Sequence, residues 1–216
     1  MLTWDCSVLL MEKRELEFLS KGTDSAIFLF QDDLVLKISR TDRMLRADRE
    51  ANILRLISWK SKKRIAPRAF ANTRYCILME RISGNIVKEI VDKDEPKLLS
   101  RKLINLIEAA VELDNIGIAH GELSRVGEHV IFVEETPIFI DFGSASVSRS
   151  ASNLTQVLSQ LFFSKNIISS TLKEKLGLSE KDIGELLEIA KSYKELRKLN
   201  KPDEKILEKI SHILSK

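Results

Sequence analysis

At 216 residues, 44% of them hydrophobic and 31% charged, the chain has the length for one large domain or two small lobes sharing a core. Its 35 basic against 32 acidic residues are not a nucleic-acid-binding balance, and two cysteines, Cys6 and Cys76, are too few and too far apart for a disulfide framework or a zinc site. No apolar run approaches the roughly 18 residues of a membrane span, and MLTWDCSVLLMEKR lacks the basic start and cleavage site of a leader, so a cytoplasmic protein is expected.

The first third reads as an antiparallel meander. LEFLS (16–20), AIFLF (26–30) and LVLKIS (34–39) are short apolar runs joined by KGTDS and QDD. In KGTDS the glycine tolerates positive φ, and the Asp and Ser side chains can bond the local backbone, which suits a tight turn. A helix is predicted over 42–58, where Ala47, Ala51, Leu54 and Ile57 fall on one face, and Glu50 shares that face. After Pro67 comes a second strand pair ending in YCILME (75–80), then a turn at Ser83-Gly84.

The rest is mostly helical. Leu99, Leu103, Leu106, Ala110 and Leu113 keep a 4-3-4-3 spacing that stops at Asn115-Ile116-Gly117, where glycine can take the left-handed cap. The hairpin VIFV-EET-PIFI (130–140) follows. Later helices open at Ser179, with Asp182 three residues on, and at Pro202. The serine-rich SASVSRSAS (144–152) reads as a helix start by capping, with Ser146 and Ser148 as candidates for modification. The order of elements gives an α+β, bilobal plan: residues 1–82 form a small antiparallel sheet with one helix, and residues 83–216 a mainly helical lobe around one hairpin.

Phosphoryl transfer asks a protein to hold nucleotide phosphates, bind a metal ion and place an acceptor hydroxyl in line. The charges for this lie in order along the chain. Lys37 closes an apolar strand, Glu50 sits on an inward helix face, Glu122 lies in the loop of IAHGELSRVGEHVIF, and Asp141 ends the hairpin. Glu50 could instead pair with Arg46 one turn back as a surface bridge. An inward carboxylate needs a cation, and Lys37 on a preceding strand favours the inward reading.

V-x-K, the glutamate of REANIL, HGEL and DFG, in that order, resemble the marks of the protein-kinase-like superfamily. The likeness spans about residues 15–165. It is strongest to the small RIO kinases and to the kinase subunit of the KEOPS tRNA-modification complex, in an archaeal-like form. It implies a bilobal protein-kinase-like fold without a long activation segment, and an ATP-dependent, atypical Ser/Thr protein kinase that autophosphorylates. ATP with Mg²⁺ or Mn²⁺ and a protein substrate would be its partners, with no membrane. Lys37 would hold the α/β-phosphates, Glu50 would fix it, and Gly22 would let backbone approach them. Met79 would border the adenine pocket, and the backbone of Glu80 and Ile82 would bond the base. Glu122 would receive or orient the acceptor proton, Arg125 would contact the γ-phosphate, and Asp141 would bind metal and phosphates. His120 would orient rather than catalyse.

Two letters depart from the family pattern. Glu122 replaces the usual aspartate, keeping the charge and adding a methylene. The usual asparagine falls on Gly127 when counted forward from the acid, or on His129 when counted back from VIF. Histidine is a poor Mg²⁺ ligand but tolerates Mn²⁺, and Glu128 offers oxygen. His129 therefore reads equally as a metal neighbour or a loop residue. A nucleotide-binding pseudokinase that regulates a partner, and a small-molecule kinase of the aminoglycoside or choline type, stay open as alternatives. Membership of a KEOPS-like assembly is weakened, because the HGDLTTSN-like loop of that subunit is not matched.

Overall fold

The computed structural model describes residues 16–40, 45–148, 150–199 and 205–215. Cys6 lies outside them. Strands β1 (Glu17–Lys21), β2 (Ser25–Gln31) and β3 (Leu34–Ser39) form the expected meander, and β4 (Ala69–Asn72) and β5 (Cys76–Glu80) complete one sheet in the order β1-β2-β3-β5-β4. Every neighbouring pair is antiparallel. The KGTDS turn closes with a bond from Gly22 N–H to Ser25 O at 2.8 Å. Because side chains alternate along a strand, Val35 and Lys37 share one face of β3 while Leu36 fills the other.

Helix α1 (Leu45–Lys60) packs Ala47, Glu50, Ala51, Leu54 and Ile57 inward, as the spacing predicts. Its expected first residues, 42–44, and the Arg46 side chain lie outside what the structure describes. The turn after β5 needs a glycine, since a Cβ on Gly84 would sit 2.1 Å from Phe132 O. That close approach lets β6 (Asn85–Ile86) join β8 (Val130–Val133) and β9 (Thr136–Phe139) in a three-stranded sheet.

The helical part follows. It consists of α2 (Val87–Lys93), α3 (Pro96–Asn115), the short α4 (Val126–His129), α5 (Asn153–Leu158), α6 (Ile167–Lys175), α7 (Glu180–Lys198) and α8 (Ile206–Leu214). In α3, Leu99, Leu103, Leu106, Ala110 and Leu113 have no solvent exposure. Cutting one such leucine to alanine costs about 2–5 kcal/mol. The predicted box at Ser179 is present: the Ser179 side chain accepts from Asp182 N–H, and Asp182 accepts from Ser179 N–H at 2.9 Å. The predicted helix start at Pro202 lies outside the described residues.

The serine-rich stretch is not the capped helix start that its composition suggests. Ser146 and Val147 form β10 (Ser146–Val147), which pairs with β7 (Ile118–Ala119). Ser152 precedes α5 without bonding its backbone, and its hydroxyl meets Thr155 Oγ1 at 2.5 Å instead. The buried Asp114, from the end of α3, does the capping: it accepts from Asn153 N–H at 2.7 Å and Leu154 N–H at 3.2 Å. Beyond α5 the chain continues as a π-helical turn, Ser159–Phe163. Among the described residues no helix is long and apolar enough to cross a membrane.

Candidate active site

Lys37 is 6% exposed, an expensive place for an ammonium without partners. It has three. Its Nζ donates to Glu50 Oε1 and Oε2 at 2.9 and 2.8 Å and to Asp141 Oδ1 at 2.7 Å. The inward reading of Glu50 therefore holds, and Phe142 N–H also donates to its Oε1 at 3.2 Å. Burial alone would lower the Lys37 pKa, but the Glu50 and Asp141 carboxylates raise it above the ordinary lysine value. For Asp141 burial pushes up and the Lys37 ammonium pulls down harder, so its carboxyl lies below the usual range. Asp141 holds this position with φ at 63°, a left-handed conformation that costs a non-glycine residue free energy.

Two adjoining cavities meet at Lys37, His129 and Asp141 and together make one cleft between the sheet and the hairpin. The polar one, about 430 Å³, is lined by Gly22, Glu122, Arg125, Glu128 and Ser144 among others. The more apolar one, about 630 Å³, is lined by Leu19, Ile27, Val35, Met79, Glu80, Ile82 and Ile140 among others. The expected site residues thus converge on a single cleft. Glu80 is tied to the sheet: its N–H donates to Arg68 O at 2.9 Å, and its carboxylate accepts from Arg64 at 2.5 Å and from Arg68 N–H at 3.1 Å. Gly127, the forward-counted position, does not line the cleft and faces Ile168 instead.

The loop before the hairpin rests on the turn after it. Gly121 has φ at 91°, and a Cβ there would lie 2.6 Å from Ser144 O. This contact brings Ser144 Oγ to Glu122, to which it donates at 2.7 Å. Arg125 donates to the other Glu122 oxygen and to Glu128 Oε2 at 3.2 Å. The Ser144 bond, with help from Arg125 and against a little burial, holds the Glu122 carboxyl below the usual range. Arg125 is therefore already engaged by two carboxylates.

His120 has no exposure, packs its ring 4.5 Å from that of Phe142 and has Nε2 3.0 Å from Ile140 O. Burial and the neighbouring His129 push its pKa down to about 4, so it is neutral near pH 7 and donates from Nε2. His129 is also buried, with Nε2 3.5 Å from Glu122 Oε2, and neither of its ring nitrogens has a hydrogen-bond partner. Among the described residues no three His, Cys, Asp or Glu side chains gather as a metal site.

Sequence reasoning missed Asp114 and Asn153. Besides capping α5, Asp114 accepts from Asn153 Nδ2 at 2.8 Å and from the Tyr193 hydroxyl at 2.9 Å. Asn153 in turn donates to Ile118 O at 2.6 Å and accepts from His120 N–H at 3.0 Å. The network ties α3, α5 and α7 to the loop carrying Glu122. The one sequence signal was an aspartate in the last turn of α3, where the helix dipole disfavours it.

No family model matches the chain. An uncharacterized protein of Methanocaldococcus jannaschii is 30% identical over 118 residues, which make up 55% of this chain and all of that protein. The chain belongs to that protein's family. Among solved structures, the gentamicin complex of APH(2″)-IIa superposes with a TM-score of 0.53 at 15% identity, over 99% of this chain and 97% of that one. The streptomycin–ATP ternary complex of the same protein gives 0.57 at 15%, over 91% and 88%. These likenesses establish the fold: an α+β, protein-kinase-like architecture with an N-terminal antiparallel sheet and a helical C-terminal part.

Proposed function

We propose that the chain is an ATP-dependent phosphotransferase whose nucleotide lies between lobes of residues 1–82 and 83–216. The observation that carries this is Lys37, held at 2.7–2.9 Å by Glu50 and Asp141, in a cleft that Glu122 also lines. On this reading Lys37 binds the α/β-phosphates, Glu50 fixes Lys37, and the Gly22 turn covers the phosphates. The apolar cavity takes the base against Met79. The Glu80 N–H is already used, so its carbonyl and the Ile82 N–H are the groups for the base. Glu122 orients the acceptor hydroxyl and takes its proton, and Arg125 moves onto the γ-phosphate.

The donor set fits a divalent ion shared with phosphate oxygens. Asp141 supplies hard oxygen, and the partnerless nitrogens of His129 suit Mn²⁺ better than Mg²⁺. When bound, the ion would neutralise charge building on the transferred phosphate.

A serine or threonine hydroxyl of a protein is the proposed acceptor. The short passage from Asp141 through β10 to α5 supports kinship with the RIO and KEOPS-subunit kinases. A small hydroxylated molecule is the second reading, favoured by the gentamicin and streptomycin complexes of the fold neighbour. The test is transfer from γ-labelled ATP with Mg²⁺ or Mn²⁺, to the protein itself, to a generic basic protein or to aminoglycosides. Label is expected on protein and is abolished by Lys37→Ala or Asp141→Ala. Label only on the small molecule would move the acceptor class. Stabilisation by ATP without ADP formation under either ion would overturn the enzymatic reading and mark a nucleotide-binding regulator.

A further inference from the structure

The Glu122 carboxylate, which on the reading above serves an incoming hydroxyl, already has one. Ser144 Oγ–H donates to Glu122 Oε1 at 2.7 Å and lines the same polar cavity as Lys37, Arg125 and Asp141. The arrangement is built into the backbone. Ser144 closes the 3₁₀ turn that follows Asp141, and its carbonyl lies so near Gly121 that no side chain fits there. Ser144 is also exposed, so its hydroxyl is open to the cleft. The serines favoured by composition are placed elsewhere. Ser146 faces α1 beside Asp48 and Arg49, and neither Ser146 nor Ser148 lines the cleft.

We propose that Ser144 is an intramolecular phosphate acceptor, held by the fold at the place of an incoming hydroxyl. This rests on the phosphotransferase reading and names its first acceptor. Ser144 Oγ attacks the γ-phosphorus of ATP, and an Oγ–P bond forms as the bond from that phosphorus to the bridging oxygen breaks. The Ser144 proton passes to Glu122 Oε1, and ADP leaves with the bonding pair on its β-phosphate oxygen. The product places a phosphate dianion beside Glu122 and Asp141, with Arg125 as the cation within reach. It fills the acceptor position, so the modification limits later transfer to other hydroxyls.

The experiment incubates the full chain with γ-labelled ATP and Mn²⁺ or Mg²⁺, follows ADP, and locates label by peptide mapping. The expected label sits on Ser144, forms at a first-order rate that dilution does not change, and disappears from that peptide in Ser144→Ala. It returns in Ser144→Thr and persists in Ser146→Ala and Ser148→Ala. Label confined to other residues, a rate that falls on dilution, or ADP formation with Ser144 unmodified overturns the proposal and leaves the phosphotransferase reading standing. Absence of both ADP and label overturns the two together.

Discussion

Replacing Lys37 by methionine keeps the apolar stem and removes the ammonium. Glu50, 3% exposed, then loses bonds of 2.8 and 2.9 Å and retains Phe142 N–H at 3.2 Å, with the Asp141 carboxylate still nearby. Removing one partner of a buried pair costs about 3–5 kcal/mol, because the survivor is left charged and unsolvated. That is a large share of the roughly 5–15 kcal/mol that holds a domain folded. Removing both charges is a different perturbation. Lys37→Met with Glu50→Leu fills the same space with apolar groups, and such replacements are often neutral or stabilising. Urea unfolding followed by circular dichroism is expected to show the single variant destabilised by about 3–5 kcal/mol, with most of that recovered in the double variant at an unchanged slope. Neither variant is expected to gain melting temperature from ATP. A double variant as unstable as the single, or a single variant indistinguishable from the parent, would refute the reasoning. The expected pattern means that the pair contributes little net stability, so its presence calls for another explanation, which the proposed phosphate-binding role would supply.

His120 gives a pH signature. Its pKa is about 4 in the fold against an ordinary 6.5, so the unfolded chain takes up the proton first, and stability falls as pH drops through that window. The loss is about 3 kcal/mol, and it should be absent in His120→Gln, so that it appears as a pH-dependent difference between parent and variant when urea midpoints are compared across the window. Gly121→Ala forces a Cβ within 2.6 Å of Ser144 O at φ 91°. It should cost about 1–3 kcal/mol and slow phosphoryl transfer more than it weakens ATP affinity, read as kcat against KM. Asp114→Ala leaves Asn153 and Leu154 N–H groups and the Tyr193 hydroxyl without their acceptor. Each such donor costs about 1–3 kcal/mol, so a loss of about 3 kcal/mol or more in chemical unfolding is expected, and Tyr193→Phe should cost clearly less.

The part of the site that could be read from sequence is the part where charge breaks an apolar pattern. Lys37 interrupts LVLKIS and Glu50 interrupts a face of Ala, Leu and Ile, so each advertises a buried partner that periodicity alone can find. Asp141 was legible because the hairpin runs straight into it. Ser144 was not, because its role depends on how closely Gly121 packs, a tertiary distance with no local code. Asp114 was hidden for a related reason: its partners come from α5 and α7, and the helix-dipole argument only says that it needs some. The serine-rich stretch misled because serine favours caps, while here Ser146 and Val147 are drawn into a strand by pairing with β7, a tertiary contact with no local signal.

The two departures from the usual loop compensate each other. A glutamate carries its carboxylate one methylene further out than aspartate and has more rotamers to lose. Here Ser144 and Arg125 hold one oxygen each, and His129 stands 3.5 Å behind, so Glu122 is fixed before any substrate arrives. The cost falls on the metal side. With imidazole in place of a side-chain amide, the loop offers less oxygen to a second ion, and on the proposed phosphotransferase reading neutralising the transferred phosphate would fall more heavily on Lys37 and Arg125. Arg125 suits that task because it is more than half exposed and bound to two carboxylates it can release. On the proposed reading, Glu122 and the γ-phosphate would then compete for one guanidinium. When the phosphate wins on that reading, Glu122 keeps the Ser144 bond, the main cause of its depressed pKa, but loses the smaller contribution of Arg125. It then becomes a somewhat better proton acceptor while the acceptor hydroxyl is drawn in.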